Sequence, residues 1–248
     1  MAGHSKWANI KHRKGAQDAK RGKIFTKLIR EIVTASRLAG GDPDMNPRLR
    51  LVLEKARSAN MPKDTIERAI VRGSGGGEED DFEEVVYEGY GPGGTAILIE
   101  GLTDNRNRTV GEVRHVFAKA GGNMGDPGCV SYLFERRGLI VFDPAAVDGD
   151  ALMEAALEAG ADDVREADDA ITVVTGPAGF EAVKEALEAA GFAPVLAEIS
   201  MEASTTVALE GDDAEKMLKL VDAFEDLDDV QAVHANFDIP DEILEQLA

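Results

Sequence analysis

In DAKRGKIFTKLIREIVTASRLAGG, residues 18–41, apolar side chains recur at Ile24, Phe25, Leu28, Ile29, Ile32 and Val33. That spacing predicts an amphipathic helix ended by Gly40 and Gly41, with Lys20, Lys23, Lys27 and Arg30 on the opposite face. A second helix begins at NPRLRLVLEKARSAN, where Asn46 is placed to cap and Pro47 suits the first turn. Its buried face is Leu49, Val52, Leu53 and Ala56. MPKDTIERAIVRG predicts a short third helix, with Asp64 and Glu67 spaced as a capping box and Gly73 as the stop. Three amphipathic helices on short turns make a small helical domain, compatible with a helix-turn-helix without requiring one.

The pattern breaks at GSGGGEEDDFEE, which is rich in glycine and then in acid and reads as a linker. Beyond it, VVYEGY and TAILIEGL read as strands about a GPGG turn, followed by a helix over 107–120. CVSYLF and GLIVF read as two strands on either side of ERR. Helices near 151–159 and 180–190 then alternate with strands near 163–166, 170–174 and 195–199. STTVAL, a helix near 214–224 and VQAVHANF complete the chain.

From Gly138 to about Ile199 the order is β-α-β-β-α-β, that of a ferredoxin-like unit. The flanks, β-β-α-β before it and β-α-β after it, make a second α/β unit when joined. The expected fold class is therefore multidomain α+β: an N-terminal three-helix domain followed by two ferredoxin-like α/β domains, one inserted in the other. The expected boundaries are a basic arm at 1–20, helices at 21–73 and a linker at 74–84. One α/β domain is made of 85–136 with 201–240, and the inserted one is 137–200.

Charge sharpens this picture. The 248 residues carry a formal net charge of −20, yet residues 1–73 hold 17 Lys and Arg against 7 Asp and Glu. The remainder holds 10 basic against 40 acidic side chains. Such asymmetry suggests a polyanion-facing end on a body that meets solvent or protein. No apolar run approaches the ~18–20 residues of a membrane span, and the N-terminus lacks the apolar centre of a secretory signal. The single cysteine, Cys129, cannot form an internal disulfide, so a reducing, cytoplasmic compartment is expected.

Enzyme chemistry finds little support. His4, His12, His115 and His234 form no metal-ligand spacing with one another or with Cys129, which itself begins an apolar strand, so no catalytic group, metal or cofactor is expected. YGPGGTA lacks the lysine of a phosphate loop and reads as a hairpin turn. In GLTDNRNRTVGEVRHVF, Asp104 or Asn105 can cap a helix, and Arg106 and Arg108 can add to its amides as an anion contact. The alternative is that these arginines pair with neighbouring acids. The GGNMGDPGCVSY loop, with Gly121, Gly122, Gly125 and Gly128, marks a tight backbone.

Nucleic-acid binding fits better. The candidate contacts are Lys6, Trp7, Lys11, His12, Arg13, Lys14, Lys20, Arg21, Lys23, Lys27 and Arg30; in the first 30 residues only Asp18 opposes nine cations. Such a cluster gains affinity through counterion release, and Trp7 can stack on a base or pack on the helices. Residues 137–200, with 3 basic and 14 acidic side chains, should repel a phosphate backbone and more readily meet protein or a small ligand.

MAGHSKWANIKHRKGAQDAKRGKIFTKLIREI, TDNRNRT at 103–109 and GGNMGDPGCVSYLF at 121–134 together resemble the YebC/PmpR family of probable transcriptional regulators. The resemblance runs through essentially the whole chain. It implies a helical first domain, two α/β domains, a cytoplasmic or organellar protein and DNA-binding regulation. Because some members are tied to the ribosome, ribosomal RNA is the alternative partner for the same basic surface. The match from Met1 implies a bacterial-type cytoplasmic protein without an added transit peptide. Cys129 stands where the family motif has a small residue such as serine.

Overall fold

The computed structural model of the chain describes residues 21–76, 82–167, 170–240 and 243–244. Helices α1 (Arg21–Ala39), α2 (Pro47–Ser58) and α3 (Lys63–Val71) pack around buried Leu28, Ile32, Leu49, Val52, Leu53 and Ile66. Asn46 joins the first two. Its Oδ1 accepts the Leu49 N–H at 3.0 Å and caps α2, while its Nδ2 donates to the carbonyls of Ala35 and Gly40 at the end of α1.

The third helix starts differently from its expected capping box. Pro62 is the N-cap, with no side-chain cap hydrogen bond, and its carbonyl accepts the N–H groups of Thr65 and Ile66. Asp64 therefore lies inside the first turn, where its charge still suits the positive end of the helix. Gly73 is also more than a stop. It lies in the wide turn Arg72–Gly76, and a Cβ there would come within 2.3 Å of the Val33 carbonyl oxygen.

The first sheet has the order β3-β1-β2-β9. Strands β1 (Glu83–Tyr90) and β2 (Ala96–Thr103) pair antiparallel along their length, from Glu83 opposite Thr103 to Tyr90 opposite Ala96. The short β3 (Asn123–Met124) joins β1, and β9 (Val230–Ala235) joins β2. Helices α4 (Arg106–Lys119) and α7 (Gly211–Glu225) cover one face, burying Ile97, Ile99, Phe117, Phe224 and Val233. The Phe117 and Phe224 rings meet edge to face at 4.7 Å.

The second sheet, β5-β6-β4-β7, uses only residues between Phe134 and Ala203: β4 (Phe134–Phe142), β5 (Asp163–Ala167), β6 (Ala170–Thr175) and β7 (Leu196–Ala203). Taken as first to fourth strands, their order of second, third, first, fourth is ferredoxin-like. Helices α5 (Gly149–Glu158) and α6 (Phe180–Ala189) close its core over Ile140, Phe142, Val173 and Phe180.

Where two strands were expected about ERR, there is one. β4 runs straight through Glu135–Arg137 because β7 pairs it there, Arg136 opposite Met201 and Arg137 opposite Ser200. Residues 129–133 are not a strand. The N–H groups of Gly128, Val130 and Ser131 each donate at 2.7 Å to the Glu88 carboxylate and so are unavailable to a ladder. STTVAL shrinks to β8 (Val207–Ala208), paired in parallel with β10 (Phe237–Asp238).

The three helices are docked on both sheets. Phe82 and Leu102 complete the helical core, and Leu51 of α2 packs against the core of the second sheet. Overpacking at the close approach of α1 and the wide turn gives a direct test of the helical core. Gly73→Ala should lower unfolding stability by about 1–3 kcal/mol, read by urea denaturation.

Candidate nucleic-acid interface

Of the expected contacts, Lys6, Trp7, Lys11, His12, Arg13, Lys14, Lys20 and the Arg21 side chain lie outside the described residues. Lys23, Lys27 and Arg30 are described, and their spacing of four and three residues places them on one face of α1. Lys27 and Arg30 are turned from open solvent, while Lys23 is half-exposed. The face lies against the C-terminal end of α7 and the segment that leads into β9.

Lys23 Nζ donates to the Asp226 carbonyl at 3.1 Å and pairs with its carboxylate at 3.3 Å. Lys27 Nζ donates to the Glu225 carbonyl at 2.6 Å. Arg30 donates to the Asp228 carbonyl at 2.7 Å and the Leu102 carbonyl at 3.3 Å, and it pairs with the Asp229 carboxylate. Its guanidinium also lies 5.4 Å from the centre of the Phe82 ring. Cations at the last turn of a helix complement its unpaired carbonyls and its negative end. Burial outweighs the attraction of Glu225, Asp228 and Asp226 for Lys27, whose pKa falls to about 8.

Asp229 is the convergence point. Its side chain is 2 % exposed. Besides Arg30, it accepts from Thr109 Oγ1 at 2.6 Å, Thr103 Oγ1 at 3.1 Å, and Arg108 Nη2 at 2.7 Å. Burial pushes its carboxyl upward, but the hydrogen bonds from Thr109, Arg108 and Arg30 prevail and hold it below the usual carboxylate range. Its own carbonyl accepts the Leu102 N–H at 2.8 Å, fixing the segment to β2.

This geometry decides how TDNRNRT is used. Asn105 caps α4, its side chain accepting the Arg108 N–H at 3.1 Å. The Arg108 side chain pairs with Asp229 and with Asp104, the latter at 2.7 Å, as the acid-pairing alternative for these arginines expects. Arg106 is largely exposed, with its Nε 3.6 Å from Glu83.

The glycine-rich loop is organised by Glu88, buried on β1. Desolvation would raise its pKa, yet the three loop N–H groups lower it overall. Tyr90 adds a hydrogen bond from its hydroxyl to the Cys129 carbonyl at 3.0 Å. Neither Glu88 nor Asp229 stands out in a chain with 47 acids. Alternation in VVYEGY places residue 88 on the face of β1 opposite Tyr87, but nothing there identifies its partner loop.

The second sheet also holds the helices through charge. Lys184 of α6, almost fully buried, pairs with Glu54 of α2, and Arg50 lies 3.6 Å from Glu181 and 3.7 Å from Glu185. Lys55, Arg57, Lys63 and Arg68 are exposed, and Lys63 lies 3.5 Å from Glu67. Sequence periodicity singled out none of these four. Among the described residues, no helix is long and apolar enough to cross a membrane.

Comparison with known proteins matches two family models. One describes the TACO1/YebC N-terminal domain over residues 5–76, the other the TACO1/YebC second and third domain over 82–237. A probable transcriptional regulatory protein of Citrifermentans bemidjiense is 60 % identical over 247 residues, covering the whole of both chains. One from Proteus mirabilis is 61 % identical over 248 residues, covering 100 % of this chain and 98 % of its own. Among solved structures, a conserved hypothetical protein from Aquifex aeolicus is 52 % identical with a TM-score of 0.84, over 92 % of this chain and 94 % of that one.

Two outcomes test the Asp229 junction. Asp229→Ala leaves Arg30 without its carboxylate partner and should cost about 3–5 kcal/mol in chemical denaturation. Because the folded pKa of Asp229 is depressed, its contribution is full above the unfolded value of about 3.9 and is lost as pH falls through the folded value. The wild-type chain should therefore lose stability in acid more steeply than the variant. Lys27 should titrate near 8 in NMR of the isotopically methylated protein.

Proposed function

The chain belongs to the TACO1/YebC family, and from that premise we propose that it is a non-enzymatic, DNA-binding transcriptional regulator acting through its basic arm and helical module. The observation that carries this reading is the segregation of charge, 17 basic against 7 acidic residues in 1–73 and 10 against 40 beyond. The names of the relatives from Citrifermentans bemidjiense and Proteus mirabilis as probable transcriptional regulatory proteins support the regulatory role.

The arm residues Lys6, Lys11, Arg13, Lys14, Lys20 and Arg21 provide the phosphate contacts, and His12 adds a further donor. Trp7 stacks on an exposed base. The exposed Lys55, Arg57, Lys63 and Arg68 extend the positive surface of the helical module. The acidic α/β domains stay clear of the backbone by like-charge repulsion and serve as the surface for protein partners. Arg106, exposed at the start of α4, remains open to an anion.

Changing Lys11, Arg13 and Lys14 together to alanine should weaken binding across DNA sequences and lower the salt slope by about 2–3 units. Unchanged affinity and slope would remove the arm from the mechanism. Crosslinking in cells followed by sequencing identifies the target. Promoter DNA supports this reading, whereas ribosomal RNA assigns the same surface to translation.

A further inference from the structure

We propose that the Lys23–Lys27–Arg30 face of α1 is a second, concealed nucleic-acid surface, covered in this structure by the acidic rim of residues 225–229 and uncovered when a phosphate backbone displaces that rim. The inference rests on the nucleic-acid-binding reading above and adds a conformational step to it.

Four observations carry it. The first is the chemistry of the cover: carbonyl oxygens of Glu225, Asp226 and Asp228 and the carboxylates of Asp226 and Asp229 hold the three cations. This row of anionic and carbonyl oxygens offers the cations what a phosphate backbone would offer. The second is that the contact can part without orphaning its most buried charge. When Arg30 leaves, Asp229 keeps Arg108, Thr103 and Thr109. The third is that Lys27 is desolvated where it sits and regains solvent or phosphate on leaving. The fourth is the polar share of the seam: beside Phe82, Leu102 and Leu51, it is crossed by ion pairs such as Arg48 with Glu84 at 2.6 Å and Arg50 with Glu181.

A ligand shifts a conformational equilibrium only by its differential affinity for the two states. Lys27 and Arg30 are covered while the module is docked and can meet phosphate fully only after release, so these two cations supply most of the differential term, to which half-exposed Lys23 adds less. The charges of Asp226 and Asp228 oppose release and set how much polyanion is needed.

The test uses the full chain with Lys23→Cys, Asp226→Cys and Cys129→Ser. Both new thiols replace half-exposed side chains, and a short bis-maleimide bridges them to hold the module docked. A short DNA duplex of mixed sequence is titrated against bridged and unbridged samples of this protein. Bridging should weaken binding about ten-fold or more and lower the salt slope by about 2 units, the share of Lys27 and Arg30 at roughly 0.9 per contact. Separately, Asp226→Asn with Asp228→Asn should raise duplex affinity several-fold. A dye pair placed on α3 and α5 should then separate at lower duplex concentration than in the wild type. Equal binding by bridged and unbridged protein, with no dye separation, overturns concealment while leaving the arm-based reading intact. Absence of duplex binding by both forms and by the wild type overturns both.

Discussion

The arrangement of this molecule turns on one buried carboxylate. Asp229 lies just before β9, is held to β2 through its backbone, and gathers Arg30 from α1, Arg108 and Thr109 from α4, and Thr103 from β2. A charge so deeply buried is costly unless its hydrogen-bonding capacity is filled. Four side chains from three elements fill it here. The same demand fixes where the helical module sits against the first sheet and where α4 begins. It also explains Arg108, which would otherwise be an exception in an acidic body.

Around that point the assembly is electrostatic. A module with a surplus of cations rests on a body with a surplus of anions, through the carbonyl end of α7 on one side and through Glu54–Lys184 and Arg50 with Glu181 on the other. The ionic character matters for function, because contacts made of charge answer to salt and to competing polyanions far more than apolar cores do. The apolar cores of the two sheets, built on Phe117 with Phe224 and on Phe142 with Phe180, give the rigid frame that such a junction needs.

Much of the fold was legible in the residues. Helical periodicity located α1 to α3, Asn46 announced its cap, and the strand and helix order of residues 138–199 matched the ferredoxin-like sheet. The expected strand at 129–134 failed on a distant acid, Glu88, and which of the two roles left open for Arg108 its contacts follow depends on another, Asp229. Local pattern carries no record of which of many carboxylates will be buried against which loop. The basic face of α1 was visible as a face, but its cover comes from residues about 200 positions later.

Hydrogen exchange on Arg30→Met tests the central claim that ionic docking at Asp229 organises the molecule. This change leaves Asp229 its Arg108 and threonine partners and removes only the tie to the module. Faster exchange confined to α1 and the 226–230 segment, with the amides of β4 and β6 still protected, is the predicted result. Unchanged protection at the junction, or a uniform rise across both sheets, would contradict it.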